Sequence, residues 1–119
     1  MLSHDAAQVE DAVLNLIINA VDAIGEGSGN IGIRLYKTIA VEGQTEFVVE
    51  VADTGCGIQK ADLKKIFVPF YTIKKTGTGL GLIAVKRIVR AHSGYWNVQS
   101  FFHQGSVFSL HLPAFNDEI

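Results

Sequence analysis

The chain has 119 residues, 48% of them hydrophobic, 18% charged and only two proline, which excludes disorder, collagen and coiled coil and fits one compact domain. Its single cysteine, Cys56, closes no internal disulfide and suits a reducing compartment. No apolar run nears the roughly 18 residues that cross a bilayer, and residues 1–11 lack the basic start and apolar centre of a signal peptide. A cytoplasmic domain without direct membrane contact is therefore expected. The net charge of −2 argues against a dedicated DNA binder, yet it hides a division. Residues 1–59 carry two cations against nine carboxylates (−7), whereas residues 60–119 carry eight cations against three carboxylates (+5), a balance suited either to solvated faces or to a polyanionic ligand.

In chain order, Asp5 to Ile24 repeats apolar residues at Val13, Leu16, Ile17, Ala20 and Ile24, a helical period that ends at a Gly-Glu-Gly-Ser-Gly run. Ile31, Ile33 and Leu35 alternate within Asn30 to Thr38, and Phe47, Val49 and Val51 within Glu46 to Asp53, so each segment predicts a strand with one buried face. Asp53-Thr-Gly-Cys-Gly breaks the pattern, Lys60 to Phe67 predicts a short helix, and Val68 to Thr78 has no period. Gly79 to His92 resumes a helical stripe through Leu82, Val85, Ile88 and Val89. Two strands follow, Tyr95 to Phe102 and Ser106 to Leu112. Strands arriving in adjacent pairs predict a largely antiparallel sheet covered on one face by helices, a two-layer α/β (α+β) sandwich.

Three clusters can carry chemistry. The first helix bears a polar stripe at Gln8, Asp11, Asn15, Asn19 and Asp22 without a lysine or arginine. Asn15 and Asn19, four apart, stack on one side and suit either a structural cap or a neutral oxygen ligand for a metal held mostly by phosphates. Asp53 continues the buried face of its strand to the edge of the core, where a carboxylate needs a donor such as the exocyclic amine of adenine; guanine presents a carbonyl there. Gly55 and Gly57 would let backbone approach a flat ring. Lys74-Lys-Thr-Gly-Thr-Gly-Leu-Gly-Leu82 sets glycines 77, 79 and 81 before a helix, offering free amides to phosphate or serving as a hinge. It is neither a Walker loop nor a dinucleotide fingerprint.

Together, Asn15-Leu-Ile-Ile-Asn19-Ala, Asp53-Thr-Gly-Cys-Gly57, Phe67-Val-Pro-Phe70 and Gly77-Thr-Gly-Leu-Gly81 follow the order of the N, G1, F and G2 boxes of sensor histidine kinases. From about Asp5 to Pro113 the chain resembles the catalytic and ATP-binding domain of these kinases, nearest the nitrogen-regulatory type, within the superfamily shared with gyrase, the ninety-kilodalton heat-shock chaperone and MutL. The resemblance implies a Bergerat ATP-binding fold with a mixed, mostly antiparallel sheet and about three helices. It implies that Asn19 coordinates Mg²⁺ and Asn15 contacts phosphate. Asp53, with Gly55, Gly57 and Ile58, would hold the adenine of ATP. Phe70 would anchor a lid over Val68 to Thr78, and Lys74, Lys75, Thr76, Gly77, Thr78, Gly79, Leu80, Gly81 and Leu82 would surround the phosphates. Ser106 aligns with a threonine of the family's last strand.

Two departures matter. Many family members carry a basic residue where this chain has Asp22, which shifts that phosphate contact to Lys74 or Lys75. None of His4, His92, His103 or His111 lies in a phosphoacceptor-like context. The resemblance therefore implies a single ATP-binding domain that does not carry its own substrate: the acceptor histidine is expected on a separate dimerisation domain of the same kinase, with a response regulator downstream, no nucleic acid, and a monomeric fragment in isolation. Hydrolytic relatives carry a glutamate one helical turn before the metal-binding asparagine; here that position is Asn15. A hydrolytic ATPase, an anti-sigma-type serine kinase and a non-catalytic nucleotide-binding module are the alternatives.

Overall fold

The computed structural model describes residues 6–40, 42–66 and 81–114. Helix α1 (Ala6–Ile24) is followed by strands β1 (Ile31–Ile39) and β2 (Thr45–Asp53), helix α2 (Gly81–Ala91), and strands β3 (Tyr95–Phe101) and β4 (Gly105–Pro113). The strands form one sheet in the order β1-β2-β4-β3, and every pairing is antiparallel. Both helices lie on one face. The two-layer sandwich is as expected, whereas the mixed sheet is not, because each described strand runs opposite to its neighbour.

The core forms where α1 and α2 pack side by side across the sheet. Ala12, Leu16 and Ala20, one helical turn apart on α1, meet Val85 and Val89 of α2 and Val51, Phe108 and Leu110 of the central strands. Small alanines at two of the three α1 positions let the helices approach closely. The predicted helix after Lys60 is instead a chain of turns over residues 60–66. Its backbone bonds run from Asp62 N–H to the Gln59 carbonyl and from Lys65 N–H to the Asp62 carbonyl, each 2.8 Å, a three-residue spacing that never propagates into an α-helix. Two helices, rather than three, are thus present among the described residues.

Burial departs from simple alternation at both ends of the sheet. Ile33 and Leu35 lie in register with Val51 and Val49 on the helix-bearing face, yet they are 54% and 72% exposed. The reason is placement: α1 packs mainly over β2 and barely reaches β1. In the centre the opposite holds, for Val48 points away from the helices and is nonetheless completely buried. Tyr36, Val48, His111 and Tyr95 form one cross-strand row. The tyrosine hydroxyls flanking it donate to Glu50 at 3.0 Å and Glu46 at 3.2 Å, and Tyr95 stacks on His111 with ring centroids 4.3 Å apart. Polar aromatics thereby roof a face that no second layer covers among the described residues.

Helix α2 ends in a Schellman motif: Gly94 N–H reaches the Val89 carbonyl at 2.9 Å and Ser93 N–H the Arg90 carbonyl at 3.0 Å. The left-handed position belongs to Ser93, at φ 60°, where glycine is the favoured residue because a Cβ crowds the following carbonyl. Ser93→Gly should therefore stabilise the domain by about 1 kcal/mol. A urea midpoint that rises with unchanged slope would bear this out, and an unchanged or lower midpoint would count against it.

Candidate functional site

Asp53, the last residue of β2, is 7% exposed and faces the helices beside Ser106, its cross-strand partner on β4. Its Oδ1 accepts the Gly55 N–H at 2.9 Å, and the Ser106 N–H also donates to the carboxylate. Burial raises the Asp53 pKa above its ordinary value, while these two donors pull it partly back. The result is a carboxylate held in a fixed orientation at the rim of the core.

The loop after Asp53 is clamped on two sides. Cys56 N–H donates to the Ala23 carbonyl at the end of α1 (3.0 Å), and the Cys56 carbonyl accepts His103 N–H from the β3-β4 turn (2.6 Å). A Cβ on Gly55 would lie 2.5 Å from the Ala23 carbonyl carbon, and one on Gly57, at φ +69°, would strike the Phe101 carbonyl oxygen. Only glycine fits these two places. Ile58 N–H donates to Ser100 Oγ at 2.7 Å, and Ser100 Oγ lies 2.7 Å from Ser106 Oγ. Ser100 was not among the expected site residues. Its signal was available, since it follows Trp96 and Val98 at period two on the helix-bearing side, where an apolar residue would be the default.

On α1, Asn15 Nδ2 donates to the Asp11 carbonyl one turn back at 2.9 Å, and its Oδ1 lies toward the start of α2, 3.4 Å from where a Cβ on Gly81 would sit. Asn19 is half-buried one turn further along, and Asp22 is exposed. Leu82 and Ile58 pack in or against the core. The structure thus brings Asp53, Gly55, Gly57 and Ser106 together at one end of the sheet, and Asn15 and Gly81 together at the helix pair. Phe70, Lys74, Lys75, Thr76, Gly77, Thr78, Gly79 and Leu80, with the rest of the proposed lid, lie outside the described residues. Among the described residues no group of three or more acidic, histidine or cysteine side chains is placed to hold a metal ion.

The model of the family described as "Histidine kinase-, DNA gyrase B-, and HSP90-like ATPase" matches residues 4–116. The chain belongs to this family. It is 38% identical over 112 residues to the signal transduction histidine-protein kinase AtoS of Escherichia coli K12, covering 94% of this chain and 18% of AtoS. It is 36% identical over 117 residues to sporulation kinase C of Bacillus subtilis 168, covering 98% of this chain and 26% of that kinase. The chain therefore spans about a fifth to a quarter of the length of these relatives. Among solved structures, the mycobacterial sensor histidine kinase MprB superposes with a TM-score of 0.78 at 28% identity, covering 92% of this chain and 74% of that one. Full-length ShkA in complex with AMPPNP superposes at 0.70 with 30% identity, over 89% of this chain and 21% of ShkA. The chain is an ATP-binding catalytic domain of the sensor-histidine-kinase type.

The raised Asp53 pKa has a definite sign in stability. A carboxyl whose folded value exceeds its unfolded one favours the folded state through its protonated form. That contribution is complete below the unfolded value and is lost as pH rises through the folded value. Relative to Asp53→Asn, which cannot titrate, the wild type should lose stability as pH climbs through this window. Denaturant unfolding of both proteins across the acid range measures it; a difference that grows in the wild type's favour with rising pH would contradict the assignment.

Proposed function

We propose that this domain transfers the γ-phosphoryl group of ATP to a histidine on a separate dimerisation domain of the same kinase, for onward passage to a response regulator in the cytoplasm. The residues present fit the nucleotide. A fixed, buried carboxylate with two backbone donors already in place has acceptor capacity left for the exocyclic amine of adenine, and the tight loop through Gly57 lets backbone approach the ring. Magnesium fits a site with a single neutral oxygen ligand from the chain, Asn19, because Mg²⁺ in such sites is held chiefly by phosphate oxygens and water. Bound Mg-ATP supplies the electrophilic phosphorus and the charge neutralisation that phosphoryl transfer requires. Asp53 and the glycine loop orient the base, and Asn15 and Asn19 face the phosphates. Lys74 and Lys75 provide the cations that Asp22 cannot.

The observation that carries transfer over hydrolysis is Asn15. Its amide is anchored to the Asp11 carbonyl and cannot accept a proton at neutral pH, so a water beside it has no general base there. A neutral imidazole already presents a lone pair and needs positioning more than activation. Slow ATP hydrolysis by the domain alone and label transfer from γ-³²P-ATP to an added histidine-bearing domain are the expected outcomes. Rapid steady-state hydrolysis with no transfer would favour the ATPase alternative. In calorimetry, Asn19→Ala should abolish the magnesium dependence of ATP binding. Asp53→Asn should weaken ATP by about tenfold or more, as expected for losing a hydrogen bond to a charged acceptor, and should erode discrimination against GTP.

A further inference from the structure

A second concave site lies away from Asp53. Leu63 and Lys64 of the 60–66 turns, Lys86 of α2, and Trp96, Asn97 and Val98 of β3 line a cleft of about 430 Å³ that is open to solvent. Its floor is apolar, since Trp96 and Val98 pack with Leu63 against the core. Its rim is basic. The Arg90 guanidinium lies 5.8 Å from the centre of the Trp96 ring, and Arg90 follows Lys86 by one helical turn. The three segments that build the cleft, residues 58–66, 81–91 and 95–101, contain Lys60, Lys64, Lys65, Lys86, Arg87 and Arg90 against one carboxylate, Asp62. Of these, Lys64 and Lys86 line the cleft itself, and Arg90 reaches its Trp96.

The nucleotide does not account for these cations. Gly81 marks the end of α2 that faces Asn15, whereas Lys86 and Arg90 stand five and nine residues further on, roughly 7 and 13 Å along the axis. We propose that this cleft is a docking site for an acidic, amphipathic peptide segment of a partner protein, with an apolar side chain on the Leu63–Trp96–Val98 floor and carboxylates on Lys64, Lys86 and Arg90. Charge complementarity selects an anionic occupant. The open mouth fits a protein segment better than a small molecule, which needs a pocket enclosing most of its surface. A single indole on an apolar floor also lacks the run of stacking platforms that single-stranded nucleic acid uses.

Trp96 is the only tryptophan in the chain, so intrinsic emission reports on the cleft directly. A capped peptide of glutamates interrupted by two leucines, titrated into the full chain at low salt, should change Trp96 emission saturably. The response should persist with saturating Mg-ATP present, which separates this site from the nucleotide reading. Lys64→Glu combined with Lys86→Glu should weaken the peptide by roughly tenfold or more, and Arg90→Gln alone should weaken it measurably should the double variant fail to fold. An equal response to the same peptide with lysines in place of glutamates, tighter binding of a single-stranded oligonucleotide, displacement by ATP, or unaltered affinity in the variants would each overturn the proposal.

Discussion

The fold is organised around one carboxylate, Asp53, held in a fixed orientation at the edge of an apolar core. A buried carboxylate is costly unless donors compensate it, and here they come from its own loop, through Gly55 N–H, and from the next strand, through Ser106 N–H. Both donors exist only because the chain turns tightly after β2 and because β4 pairs beside it in register Asp53↔Ser106. The loop in turn depends on α1, whose Ala23 carbonyl receives Cys56 N–H, and on the β3-β4 turn, whose His103 N–H reaches the Cys56 carbonyl. Four elements of the fold are thereby tied to one side chain. Displacing any of them would leave Asp53 with too few donors.

Among the described residues, the sheet holds this arrangement with only one face covered by helices. Its central strands solve the problem by burying both of their sides. Phe108 and Leu110 face the helices, while Val48 lies beneath Tyr36, His111 and Tyr95, whose polar ends bond Glu50 and Glu46. Arg34 completes this surface, bridging to Glu50 at 3.2 Å and lying over the Tyr36 ring. Such exposed pairs contribute little each. Their larger effect is geometric, because side chains fixed to one another cannot swing away and expose the valine between them.

Much of this was legible in the chain, and the misses have physical causes. The helical period of α1 and the paired arrival of the strands predicted the sandwich, since periodicity reports which face is buried. Periodicity does not report what covers that face: Ile33 and Leu35 alternate correctly and remain exposed, because α1 crosses over β2. It also cannot distinguish a short helix from successive turns, as residues 60–66 demonstrate. Asp53, Gly55, Gly57 and Ser106 were identifiable from motif and register, whereas Ser100 went unnoticed because a serine among apolar residues carries no motif of its own.

The choice of amides rather than carboxylates on α1 follows from the charge around the site. The first half of the chain is strongly acidic, and α1 carries Glu10, Asp11 and Asp22 without a lysine or arginine. A triphosphate brought beside such a helix already meets like charge, so further carboxylates at positions 15 and 19 would add repulsion where the ligand is most negative. Amides avoid it. In the proposed site Asn19 would keep an oxygen atom available for a metal that the phosphates themselves hold while Asn15 faces phosphate, and the attraction would come from elsewhere: from the amides and positive end of α2, which begins beside Asn15, and from the lysines that precede it in the chain. The same amide leaves water without a base at this position, so under the proposed function the electrostatic solution for holding a triphosphate and the bias toward transfer over hydrolysis would reside in the same residue, Asn15.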